Sequence, residues 1–147
     1  MVTPSHELDR DEALFEHTQR YYCGRAKIYL THLRFEEQHV AGARTLDREN
    51  VKRLVEVFHK EGCHRLEPEN YVPAIVSREI LLTALEQCKV SYNDVLDSCR
   101  VPPLLEIDSP LELLCLHGRH RIEAAREYLD VLEQWWVVDF YSDGPCR

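Results

Sequence analysis

The sequence predicts an α/β domain, a small mixed sheet flanked by helices, and three stretches carry that prediction. Residues 113–129 read as an apolar run, a single glycine, and then a helix with Ile122, Ala125, Tyr128 and Leu129 on one face. Residues 72–76 are a short β-branched run that Ser77 turns into a second helix. Residues 47–61 form a helix signed at both ends, by Asp47 as N-cap and by Gly62 as stop, with Val51, Leu54, Val55 and Phe58 as its buried stripe. Strand-type and helix-type segments therefore alternate.

The remaining elements follow in order. Residues 5–20 carry Leu8, Leu14 and Phe15 among charges and predict a modest amphipathic helix, so residues 1–25 are read as an N-terminal helical extension to a domain over 26–147. Residues 26–35, with Ile28, Leu30 and Leu33, predict one strand, and 36–44 a loop. Residues 64–70 are a polar loop. Pro73 sits near the start of the 72–76 strand, where its missing N–H is tolerated. The helix after Ser77 buries Ile80, Leu81, Leu82 and Leu85, and Ser91 with Asp94 caps a short helix to about residue 99. Residues 100–110, with Pro102, Pro103 and Pro110, are a connector, so 77–110 form an inserted helical segment. Leu113, Leu114 and Leu116 are expected in the core. Residues 135–141 predict a closing strand, with Trp135 and Trp136 on opposite faces: one marks a contact surface, or both faces are covered.

Bulk properties exclude several classes. With 147 residues, 44% of them apolar, one domain can bury a core. A formal charge of −8 disfavours non-specific grip on nucleic acid, although a local basic patch is compatible with it. No apolar run reaches the roughly 20 residues of a membrane span, and the polar, acidic start is not a signal peptide, so the expected setting is intracellular, cytoplasmic or nuclear, without a membrane partner. The cysteines, Cys23, Cys63, Cys88, Cys99, Cys115 and Cys146, lack a repeating spacing and are expected to be reduced thiols. Cys63, His64 and His59, or Cys115, His117 and His120, could approach a zinc ion, but neither group has the paired spacing of structural zinc sites, and no metal ligand is assigned.

The chemistry concentrates at Gly118. Glycine lets the backbone approach a ligand, and a strand–glycine–helix junction aims free N–H groups and the positive end of the helix dipole at one point. Arg119, His120 and Arg121 add donors there, and cations at a helix N-terminus oppose the dipole by about 0.3–1 kcal/mol each unless an anion neutralises them. The expected occupant is a phosphate. His120 is alternatively a general base, although no partnered nucleophile is evident.

Two blocks carry a family resemblance. One runs Arg44-Thr45-Leu46-Asp47, the helix from Asn50 through Phe58, Gly62, and Val72-Pro73-Ala74-Ile75-Val76. The other is Leu116-His117-Gly118-Arg119-His120-Arg121-Ile122-Glu123-Ala124-Ala125. Together they resemble the ParB/sulfiredoxin superfamily over about residues 27–141. With Cys115 in front and Trp135-Trp136-Val137-Val138-Asp139 behind, the second block is still more similar to a fungal family of unknown function carried as cargo by giant transposons.

The superfamily resemblance implies a nucleoside triphosphate, ATP or CTP among the possibilities, with Mg2+. Gly118, Arg119, His120 and Arg121 would hold phosphate, and Arg44, Asn50 and Arg53 would surround the nucleotide. It leaves open an NTPase switch or a small-molecule kinase. Sulfiredoxin's reductive repair is not expected, because Arg119 stands where sulfiredoxin has its nucleophilic cysteine and ParB a glutamate. ParB's metal-binding segment and DNA-reading helix-turn-helix have no counterpart here, so direct DNA binding by this domain is not expected. The alternative reading is a protein-interaction or self-assembly module, including a homodimer, on a ParB-like scaffold that has lost its nucleotide.

Overall fold

The computed structural model describes residues 22–36, 46–97, 100–108 and 111–142. The helix expected over 5–20 and most of the 36–44 loop lie outside them.

Five strands form one mixed sheet: β1 (Tyr22–Tyr29), β2 (Leu33–Phe35), β3 (Val72–Val76), β4 (Leu113–Cys115) and β5 (Trp135–Ser142). Their spatial order is β1-β5-β3-β4-β2. β1 runs antiparallel to β5 and β3 antiparallel to β4, while β3 and β5, and β2 and β4, are parallel. Four helices complete the described residues: α1 (Arg48–Glu61), α2 (Arg78–Cys88), α3 (Tyr92–Leu96) and α4 (Arg119–Tyr128). The expected mixed α/β architecture is present.

Local chemistry sets the helix boundaries. Asp47 accepts the Glu49 N–H at 3.0 Å, and the Gly62 N–H closes α1 on the Phe58 carbonyl at 2.8 Å. Ser77 and Ser91 accept from Ile80 and Asp94, each at 3.2 Å. Val51, Leu54 and Phe58 are buried and α1 packs along α4; burial of side chains this size stabilises the fold by about 1.5–3 kcal/mol each.

The sheet has two unlike faces. Val72, Ala74, Val76, Trp136, Val138 and Phe140 point to the helices and are buried in the main core. Of the alternate residues, Lys27, Tyr29, Tyr71, Ile75, Trp135 and Tyr141 stay half-exposed, while Val137 among them is fully buried. This resolves the two tryptophans: Trp136 is fully buried and donates to the Asn70 carbonyl at 2.8 Å, whereas Trp135 lies on the open face.

Several expectations are corrected. The strand expected over 26–35 is two, because the chain turns through a 3-10 segment at Leu30–His32, and β1 starts earlier, at Tyr22. The connector at 100–108 is more ordered than its prolines predict: Leu104 bridges to Lys27, with Lys27 N–H donating to Pro103 at 2.8 Å and Leu105 N–H to Lys27 at 3.0 Å. The short helix ends at Leu96 rather than near 99. Leu116 is 54% exposed and Leu82 42%, so neither is core; β4 ends at Cys115, and the α2 stripe is instead Leu81, Ala84 and Leu85. Cys23 is disulfide-bonded, so the thiols are not all free; Cys63, Cys88 and Cys115 are.

Candidate functional site

The chain turns at Gly118 because two constraints meet there. The Leu116 N–H donates to the Pro73 carbonyl at 2.9 Å, but proline has no N–H to return, so the β3–β4 ladder stops. Gly118 then adopts φ 98°, and a Cβ at this position would lie 2.9 Å from Val72 Cγ2. Glycine alone satisfies both the left-handed backbone and the close approach. α4 begins immediately afterwards with no side-chain cap, leaving first-turn N–H groups without side-chain acceptors.

A cleft of about 660 Å³ opens at this turn. Gly118, Arg119, His120 and Arg121 line it together with Asn50 and Arg53 of α1, so residues some seventy positions apart in sequence converge there. Phe35, Leu54 and Leu116 form an apolar wall, and Glu36 is its described carboxylate-bearing residue. Arg44 lies outside the described residues. Among the described residues, no carboxylate stands within ion-pair distance of Arg119 or Arg121, although both are half-buried. Arg53 is held by a neutral partner, donating from Nε and Nη2 to Asn50 Oδ1 at 3.2 and 2.6 Å.

His120 is placed differently from a simple phosphate ligand. Its Nε2 accepts the Asp47 N–H at 2.9 Å. The accepting nitrogen carries no proton, so the ring proton sits on Nδ1 and the imidazole is neutral in this arrangement. The bond ties the start of α4 to the N-cap of α1, which sequence reading missed because its partners are 73 residues apart. Cys115, at the floor of the cleft, is no nucleophile: burial pushes its thiol up to about 12, against small opposing effects led by Arg126.

Among the described residues, no three His, Cys, Asp or Glu side chains are grouped to hold a metal ion, so neither sequence-level zinc grouping assembles. No described helix is long and apolar enough to cross a membrane.

A larger cleft of about 790 Å³ lies at the other end of α4, lined by His59, Cys63, Arg65, Tyr128, Glu133 and Trp135 among others. Its cation is fully engaged. Arg65 donates to the Glu133 and Trp135 carbonyls at 2.8 and 3.2 Å, stacks 3.5 Å from the Trp135 ring centroid, and pairs with the Glu133 carboxylate at 3.5 Å. On the open sheet face, Arg25 pairs with Asp139 at 3.0 Å, and Tyr22 donates to the same carboxylate at 3.1 Å. Burial raises the Asp139 carboxyl above its ordinary value, opposed chiefly by the Arg25 charge.

No curated protein and no solved structure matches the chain. Residues 21–146 match the family described as protein of unknown function (DUF3723), N-terminal domain, and this span takes in the sheet, the helices and the Gly118 cleft. The chain belongs to that family.

Proposed function

We propose that the domain binds a phosphate-bearing ligand, a nucleoside triphosphate carried with Mg2+, in the cleft at Gly118–Arg121. The observation that carries this reading is a set of unneutralised donors: an uncapped helix N-terminus, with Arg119 and Arg121 free of carboxylate partners among the described residues. The likeness of both sequence blocks to the ParB/sulfiredoxin superfamily supports it. Phe35, Leu54 and Leu116 offer an apolar wall for a base. Mg2+ would arrive on the phosphate oxygens, since the cleft offers few acidic ligands of its own.

Thermal unfolding with ATP, CTP, GTP and UTP, each with and without Mg2+, tests the proposal. A ligand at about 100 times its dissociation constant stabilises the native state by about 2.7 kcal/mol. The expected result is a shift with at least one nucleotide that disappears in Arg121→Ala. A shift preserved in Arg121→Ala, or none with any nucleotide, would overturn it.

A second reading, a protein-interaction or self-assembly module, is favoured by Val131 and Leu132. These adjacent side chains are 85% and 88% exposed, an unusual placement for neighbouring aliphatics. It expects concentration-dependent association in light scattering that Leu132→Asp abolishes; a protein monomeric throughout would end it.

A further inference from the structure

We infer that residues 5–20, which lie outside the described residues, dock as an amphipathic helix on the open face of the sheet and are that face's own cover. Three features single this segment out as the occupant. The first is where it joins the sheet. It leads into β1, and the first residue of that strand, Tyr22, carries its ring on the open face, 5.4 Å from that of Tyr141. The second is length. A helix over 5–20 is about 24 Å long and the strand β1 about 26 Å, so a helix folded back along β1 spans the face from Tyr141 to Trp135.

The third is the match between the two surfaces. The other side of the sheet is already filled, with Phe58 of α1 standing 6.1 Å from the Trp136 ring and 5.8 Å from that of Tyr128 in α4. The open side presents Tyr29, Tyr71, Ile75, Trp135 and Tyr141, each half-exposed. Leu8, Leu14 and Phe15 fall on one side of a helix, and a short helix with such a stripe holds together in water only when the stripe is packed. Asp11 lies inside that stripe, three residues from Leu8 and from Leu14 and four from Phe15. A carboxylate placed there is disfavoured unless a cation faces it. Lys27 is that cation: it stands on the open face of β1, and among the described residues no carboxylate lies within ion-pair distance of it. Its Nζ is 4.5 Å from the Trp135 ring centroid, a contact that engages one side of a group with three N–H donors. Arg25 and Arg65 are spent on Asp139 and Glu133 and take no part.

Acrylamide quenching of tryptophan fluorescence in the whole chain tests this, because Trp136 is fully buried and the response therefore comes from Trp135. Trp135 should be shielded. Leu14→Asp/Phe15→Asp should raise the quenching constant by about twofold or more, with circular dichroism confirming that the variant is folded. If that variant does not fold, Asp11→Lys takes its place with the same direction expected, and adding Lys27→Asp to it should restore the shielding. Amide hydrogen exchange should find residues 5–20 protected in the unsubstituted chain and unprotected in the variant. Unchanged quenching in the folded variant, or exchange at unprotected rates across residues 5–20 of the unsubstituted chain, would overturn the proposal. Shielding that grows with protein concentration would also overturn it and assign the face to a second copy of the chain. Arg121→Ala should leave the shielding intact, which separates this surface from the nucleotide cleft.

Discussion

The clefts at the two ends of α4 differ in what their arginines touch, and that difference matters more than their size. At the Tyr128 end the larger cleft contains Arg65, whose donors are spent on two backbone carbonyls, a carboxylate and the Trp135 ring. At the Gly118 end the smaller cleft holds Arg119 and Arg121 beside an uncapped helix terminus, with no carboxylate in ion-pair reach among the described residues. A half-buried cation with its own partners stabilises a fold. A half-buried cation placed against a helix dipole without one lowers stability, and an anionic ligand relieves that cost.

Substitutions at both ends sharpen this contrast. The largest effect is expected at Gly118→Ala, which strains the left-handed backbone by about 1–3 kcal/mol and drives a methyl into Val72 Cγ2, so chemical denaturation should show a loss at the top of that range or beyond. Gly62→Ala is the control: its φ is 86° but nothing lies within 4 Å of the added carbon, so only the strain should appear. Next, Arg65→Ala removes two hydrogen bonds and a cation–π stack and should destabilise by about 1–3 kcal/mol.

Arg121→Ala should do the reverse. Without ligand it should leave unfolding unchanged or raise stability by up to about 1 kcal/mol, because the charge opposes the α4 dipole. A loss comparable to that of Arg65→Ala would erase the contrast. The smallest effect is a pH dependence. Cys115 is held protonated by burial, its folded-state value of about 12 lying above the 9.0 of a free thiol, so this contribution is complete below pH 9 and is lost as pH rises from there toward 12. Alkaline unfolding curves should flatten over that window in Cys115→Ala, and native Cys115 should resist alkylation at pH 8.

Much of this was legible in the chain wherever a local signal existed. Asp47, Gly62, Ser77 and Gly118 each fix a boundary through their own side chain, or through the lack of one, and the structure uses all four as expected. Asn50 and Arg53 could be placed beside the Gly118 turn only through the family resemblance. The misses share a cause, dependence on distant partners. β1 begins with Tyr22 and Arg25, which join the sheet through Asp139 more than a hundred residues away, so no local pattern marks the strand. Leu116 belongs to an apolar run but falls beyond the last residue of β4, where it faces the cleft. His120 has the residue type of a phosphate ligand, yet its Nε2 belongs to Asp47.

The most direct test maps backbone amide chemical shifts during titration with the nucleotide that gives the largest thermal shift. The account predicts perturbations concentrated at Gly118–Arg121, extending to Asn50 and Arg53 and sparing His64–Leu66 at the other end of α4. Perturbations centred on Arg65 and Trp135, with the Gly118 turn silent, would contradict it.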